Sequence, residues 1–150
     1  MNYIIFDLEW NQSPEGKSGS DERMPFEIIE IGAVRLNEKR EKTGEFQTLI
    51  NPVYKWIHDS IHSVVHVDYK DLMNGVPFPQ AIRDFLDWCG EDFVFCTWGM
   101  QDLTELQRNL KYYDLLELLP GPVTYYDIQK LFQLVSRKYE AAKGAGICSR

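Results

Sequence analysis

"YIIFDLEWN", residues 3–11, is the stretch on which the reading of this chain turns. Ile4, Ile5 and Phe6 lead straight into Asp7, Leu8 and Glu9. A continuous apolar run of this kind predicts a strand buried on both faces. Side chains two apart on a strand share a face, so Asp7 and Glu9 sit side by side where the strand ends. Two close carboxylates repel, and burial makes both harder to ionise. A hard divalent cation, Mg²⁺ or Mn²⁺, would relieve the conflict, because such ions choose carboxylate oxygen. The plainer alternative is that Glu9 turns to solvent and Asp7 caps the following loop.

Outward from this strand, "NQSPEGKSGSDERMP" (11–25) is rich in Ser, Gly, Pro and charge and reads as a loop. "FEIIEIGAVRLN" (26–37) is a second strand, "EKREKTG" a turn, and "EFQTLINP" (45–52) a third strand. Links this short favour an antiparallel meander. "SIHSVVHV" and "DYKDLMNGV" read as short helical turns. "PFPQAIRDFLDWCG" (77–90) is a helix with Phe78, Ile82, Phe85 and Leu86 on one face. "DFVFCTWG" (92–99) is a fourth strand, and "MQDLTELQRNL" (100–110) a helix striped by Leu103, Leu106 and Leu110. "VTYYDI" (123–128) is a short fifth strand and "QKLFQLVSRKYEAAK" (129–143) a helix. Strands alternating with helices favour parallel additions to the sheet. The expected fold is α/β, on a mixed sheet of about five strands.

At 150 residues and 44% hydrophobic content, one compact domain, 1–150, is expected. The net charge of −7 argues against a wide basic face. No run of about 18 apolar residues exists, so no membrane span is expected. The N-terminus shows no charged leader of the signal-peptide kind. Cys89, Cys96 and Cys148 have no paired or metal-type spacing and read as free thiols of a reducing, cytoplasmic compartment.

Asp102 follows the fourth strand and borders the Leu103/Leu106 stripe, so it leans toward the sheet. An acidic residue is also favoured near any helix N-terminus. A parallel strand beside the first would bring Asp102 to the sheet edge that carries Asp7 and Glu9, where ligands of open α/β sheets gather.

In this order the motifs resemble the 3′–5′ exonucleases of the DEDD superfamily, DEDDh type, with a ribonuclease H-like fold. Asp7-Leu8-Glu9 is similar to the family's first motif, and "PFEIIEIGAVRLN" to its second strand. "TWGMQDLTEL" is similar to its second motif, with Asp102 as the aspartate. The Trp98-Gly99-x-x-Asp102 form resembles the exoribonuclease-type branch that trims RNA 3′ ends. "YYDIQKLF" is similar to the stretch of the fifth strand, where Asp127 falls. The resemblance implies a sheet of order 3-2-1-4-5 and two-metal hydrolysis of the terminal phosphodiester of a single strand. Two Mg²⁺ or Mn²⁺ ions about 3.5–4 Å apart would clamp the attacking and leaving oxygens. Asp7 would bridge both ions, with Glu9 and Asp102 holding one each. RNA is expected over DNA.

The family's third motif, His-x-x-x-x-Asp near a final helix, supplies the general base and a fourth metal ligand. Here the histidines are His58, His62 and His66, and no Asp follows Asp127. The chain therefore reads as truncated at its C-terminus, without the last helix, or as diverged. It is expected to be weak or inactive, since a missing base costs about 10²–10⁴-fold. The alternative is a catalytically inactive exonuclease-fold module that binds nucleic acid or a protein partner.

The resemblance also suggests nucleotide contacts at Trp10, Asn11, His66 and Trp98. Trp10 fits equally well as packing under the 11–25 loop, and Trp98 suits packing too. In "VVHVDYKDL" (64–72), His66 and Asp68 replace the Gly and second Thr of a Thr-Gly-Ile-Thr-like turn. His58 and His62, four apart, lack a third ligand. Glu27 and Glu30 read as solvated or structural charges, and Cys89 and Cys96 as core thiols.

Overall fold

The computed structural model describes residues 1–15, 19–54, 57, 58, 61 and 67–146, with backbone alone for 138–146. Strands β1 (Asn2–Asn11), β2 (Glu27–Leu36) and β3 (Lys42–Leu49) come first, followed by helices α1 (Tyr69–Met73) and α2 (Phe78–Cys89). Then come β4 (Phe93–Thr97), α3 (Gln101–Tyr112), β5 (Tyr125–Asp127) and α4 (Ile128–Gly146). The strands form one sheet of order β3-β2-β1-β4-β5. β2 is antiparallel to β1 and β3, while β4 is parallel to β1 and β5 to β4. This is the mixed sheet that the meander and the later alternation predict, in the order that the family resemblance implies. The helical turn expected in "SIHSVVHV" falls mainly outside the described residues.

Strand β3 starts three residues before the predicted one, and the cause is the turn ahead of it. Asn37 Oδ1 accepts from the amides of Lys39 (2.9 Å) and Glu41 (3.0 Å), and Arg40 takes φ 65°. An Asx-type turn this tight returns the chain to the sheet at Lys42.

One face of β1 carries Ile4, Phe6 and Leu8, all buried. Helices α2 and α3 lie against it through Ile82, Phe85, Leu103, Leu106 and Leu110. Phe6, Phe85 and Phe95 form the aromatic centre, with Phe6 and Phe95 edge to face at 4.9 Å. Full burial of each such ring is worth about 1.5–3 kcal/mol.

The other face corrects the expectation of a strand buried on both sides. Ile5 is 42% exposed, and Asp7 beyond it is exposed too. Helix α4 packs on β4 at the side of this face, and its Ile128 lines the same groove as Ile5 and Val34. Ile5 pairs across the ladder with Val34, Asp7 with Gly32 and Glu9 with Glu30, so these residues share the open face.

Candidate active site

The site is built where β1 outruns β4. Their parallel pairing extends only to Ile5↔Cys96, whereas β1 stays paired with β2 as far as Asn11↔Glu27. Beyond Ile5, β1 therefore has a free edge on the β4 side. Asp102, in the first turn of α3, fills it: the Leu8 amide donates to Asp102 Oδ1 at 3.2 Å. Asp102 is buried, as its place beside the leucine stripe demands.

The electrostatics tie the three carboxylates together. The Asp102 carboxyl is pushed above its ordinary range by desolvation first and by the charge of Asp7 second. Glu9 is raised by desolvation, then by Asp7, Glu30 and Asp102. Glu9 and Glu30 face each other across the ladder, a like-charge pairing that costs stability. The opposite pair, Asp7 and Gly32, leaves room: a Cβ on Gly32 would meet nothing within 4 Å. Asp7, Glu9, Glu30 and Gly32 line a groove of about 810 Å³ that runs on past Ile5 and Val34 to Trp98.

The donor set is all oxygen and short of positive charge, the chemistry that suits a hard divalent cation. Among the described residues, however, no three Asp, Glu, His or Cys groups are drawn into a set that could hold one ion. Asp7 and Glu9 line the groove, while Asp102 stands behind it on the Leu8 amide. An ion would have to draw the carboxylates together.

The exonuclease family model of the RNase T type matches residues 4–140. This chain belongs to that exonuclease family, within the DEDD superfamily. Among solved structures it is similar to cell-death related nuclease 4 (CRN-4), with TM-score 0.72 and 17% identity over 92% of this chain and 48% of that one. It is also similar to a 3′-exonuclease solved in specific recognition of the 3′ end of a histone mRNA stem-loop. There the TM-score is 0.62 and the identity 20%, over 75% of this chain and 52% of that one. Exonuclease I of E. coli, solved with a dA16 oligonucleotide, gives TM-score 0.64 and 9% identity over 89% of this chain and 29% of that one. The chain thus spans about half or less of the length of each. No curated protein sequence matches it.

The remaining predicted residues separate. Asn11 is fully buried, and its side chain is engaged inside the protein: Nδ2 donates to Glu27 Oε2 at 3.3 Å and Oδ1 accepts from the His58 amide at 3.0 Å. Trp10 is half-buried against Phe26, with ring centres 5.7 Å apart. Trp98 is 57% exposed beside Phe132, and Gly99 takes φ 88° behind it. Asp127 caps α4, accepting from the Lys130 amide at 3.0 Å, which holds its carboxyl below the usual range. His62 and His66 lie outside the described residues.

Two buried polar side chains act as structural anchors. Glu27, read as a solvated or structural charge, is buried and accepts from the amides of Val53 and Tyr54 as well as from Asn11. It fastens the 51–54 segment to the end of β1. Asn109 on α3 pins β2, accepting from the Ile28 amide at 3.1 Å and donating to the Phe26 carbonyl at 2.9 Å. The one available signal was a polar residue at an otherwise apolar position: Glu27 at the head of the "EIIEIGAV" run, Asn109 beside Leu106 and Leu110.

Proposed function

We propose that the chain carries the chemistry of a 3′–5′ exonuclease, hydrolysing terminal phosphodiesters of single-stranded nucleic acid, RNA in preference to DNA. What supports this reading is the crowding of Asp7 with Glu9 along β1 and, from behind the groove, the charge interaction of Asp7 with Asp102 of α3, which accepts from the Leu8 amide. Asp7, Glu9 and Asp102 are the residues that would hold divalent Mg²⁺ or Mn²⁺. Such ions supply positive charge to the phosphate and acidify water. The protein's part is to fix Asp102 against the strand, to keep the carboxylates crowded, and to leave space at Gly32 where a phosphate approaches. Trp98, exposed at the far side of the groove, offers a ring face on which a terminal base can stack. The preference for RNA rests on the resemblance of Trp98-Gly99-x-x-Asp102 to the exoribonuclease branch.

A second reading is favoured by one observation: Asp102 is engaged by the Leu8 amide and does not line the groove with Asp7 and Glu9. In that reading the domain binds a 3′ end or a protein partner without cutting. One experiment separates the two. Single-turnover digestion of 5′-labelled RNA and DNA with Mn²⁺ is expected to give shortening from the 3′ end, faster on RNA than on DNA. It should be absent in Asp7→Ala. Metal-dependent binding without shortening would establish the binding module instead.

A further inference from the structure

Trp98 is presented to the groove by a turn clamped from both sides. The ring is 57% exposed, so burial does little to set its direction, and the backbone beneath it must. Thr97, the last residue of β4, donates its hydroxyl to the Gly99 carbonyl at 2.5 Å and closes the turn from one side. The head of α4 closes it from the other. Thr97 and Asp127 are partners in the β4–β5 ladder, so the chain leaving β5 comes up beside Gly99. Gln129 lies over that residue: a Cβ on Gly99 would stand 3.3 Å from Gln129 Oε1. With φ at 88°, glycine is therefore required twice, for its left-handed backbone and for the space it leaves. One turn along α4, Phe132 meets the Trp98 ring at 5.9 Å.

Asp127 is the centre of the α4 side. Its side chain is 11% exposed. Oδ1 accepts from the Lys130 amide at 3.0 Å, and Oδ2 pairs with Lys130 Nζ at 3.3 Å. The Lys130 amide first, and the Gly99 amide last and least, hold its carboxyl below the ordinary range. A carboxylate is more than this helix needs as a cap, since Ser, Asn and Asp serve about equally. What it adds is a second oxygen and a charge between the start of α4 and the turn that carries Trp98. Asp102, by contrast, is fastened elsewhere, on the Leu8 amide. Resting on the reading of this groove as a nuclease site, we infer that Asp127 is a positioning residue: with Gln129 it holds the Gly99 turn, and so the Trp98 ring on which the terminal base stacks. It acts through Trp98 alone and leaves the carboxylates of β1 untouched.

Fluorotryptophan incorporated into the full chain tests this by fluorine NMR. The four tryptophans give one line each, and Trp98→Phe identifies that of Trp98. In Asp127→Ser the cap of α4 survives, while the Gly99 turn loses its carboxylate. The Trp98 line should move or broaden, and the other three should stay. Affinity for a fluorescein-labelled hexauridylate in Ca²⁺ should fall about tenfold, within the worth of one stacked base. Affinity for Ca²⁺ alone should not change. In a Trp98→Ala background, Asp127→Ser should cost no further affinity, because its effect runs through that ring. Gln129→Ala, which empties the space over Gly99 and spares the cap, should move the same line, and it takes the place of Asp127→Ser if that variant fails to fold. A Trp98 line unmoved in both variants would overturn the inference. So would a loss of hexauridylate affinity that is the same with and without Trp98, or one matched by an equal loss for Ca²⁺ alone. A wild type that binds no hexauridylate would overturn the nuclease reading, and the base contact with it, whereas the hold of Asp127 on the turn is read from the fluorine lines without any substrate.

Discussion

Ile4, Phe6 and Leu8 look one way from β1, and Ile5, Asp7 and Glu9 look the other. The first set is buried under two helices, with aromatic rings at 4.9–6.1 Å. The second set lines a groove in which burial and then the charges of Asp7, Glu30 and Asp102 raise the proton affinity of Glu9. The same ten-residue strand thus serves two purposes, divided by the two-residue alternation of its side chains. Stability is concentrated on the helix-covered face. The open face keeps charge together at the expense of stability, which is what a cation-binding or phosphate-handling surface requires.

The contrast is broken most severely by Phe85→Ala. Phe85 is fully buried and touches Phe6, Phe46 and Phe95. Its loss should cost about 3–5 kcal/mol, read from the urea midpoint. Ile5→Ser, on the opposite face of the same strand, should cost under about 0.5 kcal/mol. A comparable loss at both positions would mean that the two faces are not different in kind.

Metal sharpens the contrast from the other side. Titrating Mn²⁺ against the thermal midpoint should stabilise the wild type, by about 2.7 kcal/mol at a hundredfold excess over Kd. Asp7→Asn should abolish this gain and cost little stability without metal. A gain that survives Asp7→Asn would place the ion elsewhere.

Asn109→Ala should cost about 1–3 kcal/mol, because it leaves the Ile28 amide buried without its acceptor. Hydrogen exchange should then quicken first at the start of β2. If exchange quickens evenly along the sheet, Asn109 is not the local pin described above.

The two faces also differ in how far the sequence disclosed them. The mixed character of the sheet followed from short links and then from alternating helices, its strand order from the family resemblance, and the helix faces from leucine and phenylalanine spacing. Asp7, Glu9 and Asp102 could be named because a strand's period and a helix's stripe fix directions locally. The exposure of Ile5 could not be read, since an apolar run says nothing about whether a helix arrives to cover it. Asn11 and Glu27 were hidden for a related reason. Sixteen positions apart, they meet only because β1 and β2 pair, and a carboxylate that takes three donors looks in sequence like any surface glutamate.

The smallest effect concerns Glu9, and its sign is the informative part. Burial, then Asp7, Glu30 and Asp102, raise its carboxyl above the ordinary 4.5. Between 4.5 and the raised value, the folded chain holds this proton more tightly than the unfolded chain does. Stability must therefore fall as pH climbs through that window. The contribution is fully present below 4.5 and gone above the folded value. Asp102 acts in the same direction from 3.8. Without metal, Glu9→Gln should flatten the decline and gain less than about 1 kcal/mol at neutral pH, because solvent screens a half-buried group. With saturating Mn²⁺ the difference should reverse, since the ion needs the carboxylate deprotonated, and wild type should become the more stable of the two. Urea midpoints of both proteins across pH 4–8, with and without Mn²⁺, give the four curves needed. If they fail to cross on adding the ion, the crowding of Glu9, Asp7 and Glu30 is a cost of the sheet register alone, and the open face is not a metal site.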